Sequence, residues 1–199
     1  MTRRSIIATA AGLAAAASWS KFSAAQSDEL TLPDAATSLN TFPPTAAPPL
    51  VFYNAQGKRL TLAAYAGHVL IVNLWATWCG PCTAELPTFA ALAPQLKPSG
   101  ILILPISIDQ AGASTVRPFY TAQNIHTLPI LLDPNGNDMD ILNTNGVPTT
   151  IIVTPTGKMI ARLDGAANWN TPATLAYLRT LATPHPTDDG FTPAAWEAS

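Results

Sequence analysis

The chain has 199 residues, 48 % apolar and 11 % charged, with a net charge of -2. That length and apolar content suit one ordinary domain with a buried core plus tails. No basic cluster follows the N-terminus, which excludes an electrostatic nucleic-acid binder, and a total of two cysteines excludes a scaffold stapled by several disulfides.

In chain order, residues 1–25 have the pattern of an export signal. Thr2-Arg3-Arg4-Ser5 precedes a weakly apolar, Ala-rich stretch, and Ser23-Ala24-Ala25 offers a small-x-small cleavage site with Gln26 as the first mature residue. The paired arginines resemble the twin-arginine signal. The apolar stretch is short for a membrane span, so an uncleaved anchor is the second reading. The expected destination is the periplasm, where disulfides persist. Residues 26–47 are rich in Pro, Ala and Thr and are expected to be an extended, partly disordered linker. Residues 48–182 are expected to form the domain.

Within the domain, Leu50–Tyr53 and Leu60–Leu62 flank a turn at 54–57 and predict an N-terminal hairpin. Val69–Trp75 is a continuous apolar run, as expected of a central strand. From Pro81 to Leu96 the spacing of Leu86, Phe89, Leu92 and Leu96 predicts a helix. Ile101–Ile108 predicts a second buried strand, and Ser114–Gln123 a helix capped by Ser114. A short strand at Leu128–Leu132 and a short helix at Asp138–Leu142 follow. Thr149–Val153 and Met159–Leu163 flank Pro155-Thr156-Gly157 as a hairpin, and Thr171–Leu181 closes as a helix. Residues 183–199, broken by Pro184, Pro186 and Pro193, are expected to be an irregular tail. The order predicts an α/β domain, a mixed central sheet flanked by helices.

Trp78-Cys79-Gly80-Pro81-Cys82 carries the chemistry. Residues three apart on a helix share a face, so the two sulfurs can reach each other. The amides and dipole of the helix N-terminus favour a thiolate. Cys79, nearer the end, is expected to be the nucleophile, and Cys82, deeper, the resolving thiol. Gly80 admits a partner's backbone closely, and Pro81 suits a first helical turn. A structural disulfide closing so short a loop gains little. A metal site is not expected: there is no second cysteine pair, and His68, His126 and His185 lack ligand spacing.

Two segments together resemble the thioredoxin superfamily: Trp75-Ala76-Thr77-Trp78-Cys79-Gly80-Pro81-Cys82 and Gly146-Val147-Pro148-Thr149-Thr150. The resemblance implies a thioredoxin-like fold, with a cis Pro148 facing the dithiol and Trp78, Gly80, Pro81, Val147 and Pro148 forming the substrate-binding rim. The predicted N-terminal hairpin and the segment from Asp109 to Asp133 are similar to the TlpA/ResA-type periplasmic thiol–disulfide oxidoreductases. Cytosolic thioredoxin has a buried aspartate six residues before the first cysteine, where this chain has Asn73. The TlpA/ResA-like branch has an acid three residues after the second cysteine, matched by Glu85, which makes Glu85 the expected acid–base for Cys82. Trp169 matches an aromatic in relatives, or simply packs; Arg162 and Asp164 are expected to be solvated.

The resemblance implies a protein-disulfide reductase without a bound cofactor. Its expected partners are exported proteins with thiols or disulfides and a membrane thiol-electron transporter as donor, with apocytochrome c or cytochrome-oxidase copper sites as substrates; a monomer is expected. The alternatives are a reductant or Cu(I) carrier for copper sites, with His126 as a weak ligand, and a disulfide oxidase or isomerase. Gly-Pro between the cysteines resembles the reducing end of the potential scale, about -270 mV, rather than the oxidising end near about -120 mV. Peroxidase chemistry is disfavoured: Thr77 lies two residues before Cys79, not three as in the peroxiredoxin Thr-x-x-Cys.

Overall fold

The computed structural model describes residues 31–182. The expected export signal at 1–25, residues 26–30 and the expected irregular tail at 183–199 lie outside the described residues. The elements in order are α1 (Ala35–Ser38), β1 (Asn40–Ala46), β2 (Val51–Asn54), β3 (Arg59–Thr61), β4 (Val69–Trp75), α2 (Gly80–Leu96), β5 (Ile101–Ser107), α3 (Ala113–Ala122), β6 (Leu131–Leu132), α4 (Asn137–Ile141), β7 (Thr149–Val153), β8 (Lys158–Asp164) and α5 (Pro172–Leu181). The strands make one sheet in the order β1-β8-β7-β4-β5-β6-β2-β3. The sheet is mixed, as expected: β4 pairs in parallel with β5 and antiparallel with β7.

All seven residues of β4 are buried, because the strand is covered on both faces. Val69, Ile71 and Trp75 join a core with Leu86, Phe89 and Leu92 of α2, Val116 and Tyr120 of α3 and Leu178 of α5. Leu70, Val72 and Leu74 point the other way, into a core with Phe52, Leu60, Tyr65 and Leu142. This is the alternation of a pleated strand applied to two packed faces. Asn73 is the polar exception in the run and is fully buried.

The N-terminal hairpin forms as β2 and β3, and β2 lies antiparallel to β6, so the hairpin extends the sheet. Its anchor is Asp138 at the start of α4, which accepts the Val51 N–H at 2.9 Å.

Three expectations are corrected. The linker reading of 26–47 fails for the described part, since β1 pairs antiparallel with β8 from Asn40↔Arg162 to Ala46↔Lys158. The prolines that suggested disorder, Pro43 and Pro44, sit where the register shifts on an edge strand, the place in a sheet that tolerates proline. Before β1, Asp34 caps α1 and ties it to α5, accepting from Ala36 N–H and the Thr174 hydroxyl at 2.8 Å each. Secondly, Ser114 does not cap α3; Gly112 holds the cap position at φ 59, and the Ser114 hydroxyl donates back to the Ala111 carbonyl. Thirdly, the strand read at Leu128–Leu132 shortens to Leu131–Leu132.

A chain begun at residue 48 therefore exposes the β8 edge and loses the α1–α5 tie. Thermal unfolding should show a lower midpoint for it than for a chain begun at residue 31. Asp34→Ala should cost about 1 kcal/mol through the lost cap. Equal midpoints for the two chains would contradict the assignment of β1 to the domain.

Candidate active site

β4 ends at Trp75, and its antiparallel neighbour β7 begins at Thr149, opposite Leu74. The two loops at that edge therefore meet: Ala76–Cys79 before α2, and Gly146–Pro148 before β7. Cys79 and Cys82 are disulfide-bonded, with Cα atoms 5.2 Å apart. Cys79 is the N-cap of α2, and the Cys82 N–H donates to its Sγ at 3.2 Å. That amide and the helix dipole stabilise a thiolate on Cys79 once the pair is reduced. Cys79 retains 7 % exposure and Cys82 1 %, the order expected of nucleophile and resolving thiol.

The Val147–Pro148 peptide is cis, and the Val147 carbonyl oxygen lies 3.4 Å from Cys79 Sγ. Trp78 is 69 % exposed. Gly80 and Pro81 are exposed too, and a Cβ at Gly80 would meet nothing within 4 Å. The structure thus brings Trp78, Gly80, Pro81 and Val147 together as an open rim around the sulfur, with Pro148 buried behind it. Trp75 is core, stacked on Tyr120 at 6.0 Å. His126 is exposed and bonded to Asn124, with no part in this site.

Glu85 lies one turn along α2 from Cys82 and is 1 % exposed. Its Oε1 accepts from Trp169 Nε1 at 2.7 Å and from Ala167 N–H at 3.0 Å. Its Oε2 accepts from Asn73 Nδ2 at 3.2 Å. Burial outweighs these three donors and raises its pKa from 4.5 to about 7. A carboxyl that titrates near neutrality beside a dithiol can take and return a proton.

Several working residues were missed or undervalued in the sequence. Trp169 does more than pack: beyond stacking on Phe89 at 4.8 Å, it is a donor to Glu85. Asn73, read only as a residue that cannot titrate, donates to both Glu85 and Thr150. Asp109 accepts from the Thr77 N–H at 2.9 Å, the Thr77 hydroxyl at 2.7 Å and the Ser107 hydroxyl at 2.8 Å, fixing the loop that carries Trp78 and Cys79. A carboxylate just after an apolar run, as in Ser107-Ile108-Asp109, was the available signal. Arg162 and Asp164 pair with each other at 2.8 Å, Asp164 being exposed as expected.

The AhpC/TSA family model matches residues 40–162. The chain belongs to the AhpC/TSA family. Among its relatives, the thiol-disulfide oxidoreductase ResA of Bacillus subtilis is 29 % identical over 60 % of this chain and 65 % of its own length. ResA of Bacillus thuringiensis is 30 % identical over 60 % of this chain and 68 % of its own length. The chain thus spans about two thirds of these curated relatives. A solved thioredoxin-family thiol:disulfide interchange protein from Chlorobium tepidum shares the fold, with a TM-score of 0.56, 20 % identity and coverage of 70 % of this chain and 99 % of its own. The AhpC/TSA match starts at Asn40, the first residue of β1, which agrees with a domain that begins before residue 48. The fold is thioredoxin-like, as the sequence resemblance implied.

Because burial raises the Glu85 pKa to about 7, the folded state holds that proton more tightly than the unfolded chain. Stability from this group is full below about pH 4.5 and is lost as pH rises towards 7. Glu85→Gln should remove the Glu85 part of that slope, leaving the smaller part from Asp138, whose pKa burial raises to about 6. At pH 8 it should exceed the parent by about 3 kcal/mol. Urea unfolding between pH 4 and 8 checks this; a parent whose stability does not fall over that range contradicts the raised pKa.

Proposed function

We propose that this chain is a thiol–disulfide oxidoreductase working as a protein-disulfide reductase on exported proteins in the periplasm. The single observation that carries the reading is the Cys79 sulfur at the cap of α2, held by the Cys82 amide and faced by the carbonyl before cis Pro148. Among the described residues no helix is long and apolar enough to cross a membrane.

The reaction starts from the dithiol. Cys79 thiolate attacks one sulfur of a target disulfide; that S–S bond breaks, and the released target thiolate takes a proton from solvent. A mixed disulfide now joins Cys79 to the target. An extended target segment can lie along the rim formed by Trp78, Gly80, Pro81 and Val147, its backbone beside the Gly146–Pro148 loop. Glu85 then accepts the proton of Cys82. The Cys82 thiolate attacks Cys79 Sγ, the second target thiolate leaves and is protonated, and Cys79–Cys82 remains oxidised. Two electrons have passed to the target. A membrane thiol transporter returns them with two protons to regenerate the dithiol. Cysteine pairs of apocytochrome c haem sites and of cytochrome-oxidase copper sites are the substrate class this reading favours. A peroxide-reducing role is disfavoured because the Thr77 hydroxyl is committed to Asp109 rather than to the sulfur.

Cys82→Ser should accumulate a mixed disulfide with target proteins that dithiothreitol releases, whereas Cys79→Ser should trap none. Resolution of that mixed disulfide by the parent should quicken as pH rises through about 7, the value raised by burial. Glu85→Gln should lose that inflection and run about 100-fold slower at pH 7. Trapping by Cys79→Ser instead would reverse the assigned roles, and an unchanged pH–rate profile in Glu85→Gln would remove the acid–base role.

A further inference from the structure

Asn73 is the polar residue in the middle of an otherwise apolar, fully buried strand. A buried amide is costly unless its groups are paired, and this one is paired on one side only. Its Nδ2 donates to Glu85 Oε2 at 3.2 Å and to Thr150 Oγ1 at 2.9 Å. Its Oδ1 is buried without a partner. An apolar side chain here would carry no orphaned acceptor of its own but would take the donor from Glu85 Oε2 and Thr150 Oγ1, so the amide is placed for those two partners rather than for packing.

We infer that Asn73 is a reversible amide that positions Glu85 in both of its protonation states. With Glu85 ionised, Nδ2 donates to Oε2, as observed. With Glu85 protonated, Oε2 carries a hydrogen and needs an acceptor. A half-turn of the Asn73 amide exchanges Nδ2 for Oδ1 at nearly unchanged heavy-atom positions. Oδ1 then accepts from the Glu85 carboxylic acid and from the Thr150 hydroxyl, which changes from acceptor to donor. Thr150 lies two residues beyond cis Pro148, so the change of proton is registered in the strand that carries the rim. Either orientation leaves one amide atom unpaired, so neither is disfavoured by its orphan alone. An aspartate in this place could not serve both states, since two carboxylates so close cannot both ionise.

Little else competes for that proton. The titratable groups near Glu85 on its own helix are Cys79 and Cys82. β4 presents Asn73, β7 presents Thr150, and the loop before α5 presents Ala167 and Trp169, all uncharged. Asp34, bridged to Asn168 next to Trp169, has its carboxylate committed to Ala36 and Thr174.

This inference rests on the reading of Glu85 as the acid–base of the pair, and the test separates the two. The full chain and its variants are followed by the pH dependence of mixed-disulfide resolution, with thermal unfolding alongside. Asn73→Leu removes the donor to ionised Glu85, so the pH midpoint should rise by about one unit. Asn73→Asp should replace the single inflection with two well-separated ones, because the two carboxyls share a proton. The exchange Asn73→Asp with Glu85→Gln again pairs one acid with one amide, and should recover a single inflection and at least ten times the rate of Glu85→Gln alone. If Asn73→Leu lowers the unfolding midpoint but leaves the pH midpoint in place, Asn73 is structural and the inference is overturned while the role of Glu85 stands. Should Glu85→Gln itself keep the parent profile, both readings fall. Failure of the exchanged pair to recover rate, in a variant that melts like the parent, also overturns the inference.

Discussion

A carboxylate buried inside a domain needs donors, and Glu85 draws its donors from separate parts of the chain. Asn73 comes from the central strand, and Ala167 and Trp169 from the loop before the last helix. The acid sits on the helix whose first turn holds the two sulfurs. Those hydrogen bonds therefore do two things at once. They fix α2 against the sheet and the closing loop, and they hold a proton acceptor one turn from the buried thiol. Three donors pull the pKa down and burial pushes it up; burial wins, and the group titrates near neutrality.

The rest of the site follows from strand polarity. β4 delivers Cys79 at its C-terminal end, and β7, running the other way, begins at the same edge. Antiparallel pairing is what brings the loop before cis Pro148 against the sulfur. Parallel pairing of β4 with β5 requires the α2 crossover, and that crossover supplies the helix N-terminus that acts on Cys79. Asp109, just past the end of β5, then clamps the loop leading to Trp78. The chemistry is concentrated at one edge because both neighbours of the central strand are needed to build it.

Much of this was legible in the sequence. Val69–Trp75 and Thr149–Val153 match β4 and β7 to the residue, because an uninterrupted apolar run leaves a fully covered strand few other places to go. Cys79 and Cys82 were legible because their spacing at the entrance of a predicted helix puts both sulfurs on one face, and Pro148 through the family resemblance, which implied its cis peptide. The misses share a cause. Pro43 and Pro44 signal disorder by composition, but an edge strand tolerates them. The N-terminus of α3 was misplaced because Gly112, with a backbone conformation open to glycine, replaced the side-chain cap. Asn73, Trp169 and Asp109 are ordinary residue types whose roles exist only through partners 12, 84 and 32 positions away. No local pattern announces such partnerships.

The central claim is that this pair donates electrons to target disulfides, and its equilibrium reduction potential tests that most directly. The oxidised and reduced forms of Cys79–Cys82 would be quantified across a series of dithiothreitol and glutathione buffers at pH 7. The account predicts a potential in the thioredoxin region, about -270 mV or lower. A potential near about -120 mV, the strongly oxidising end of the scale, would contradict it and make the protein a donor of disulfides.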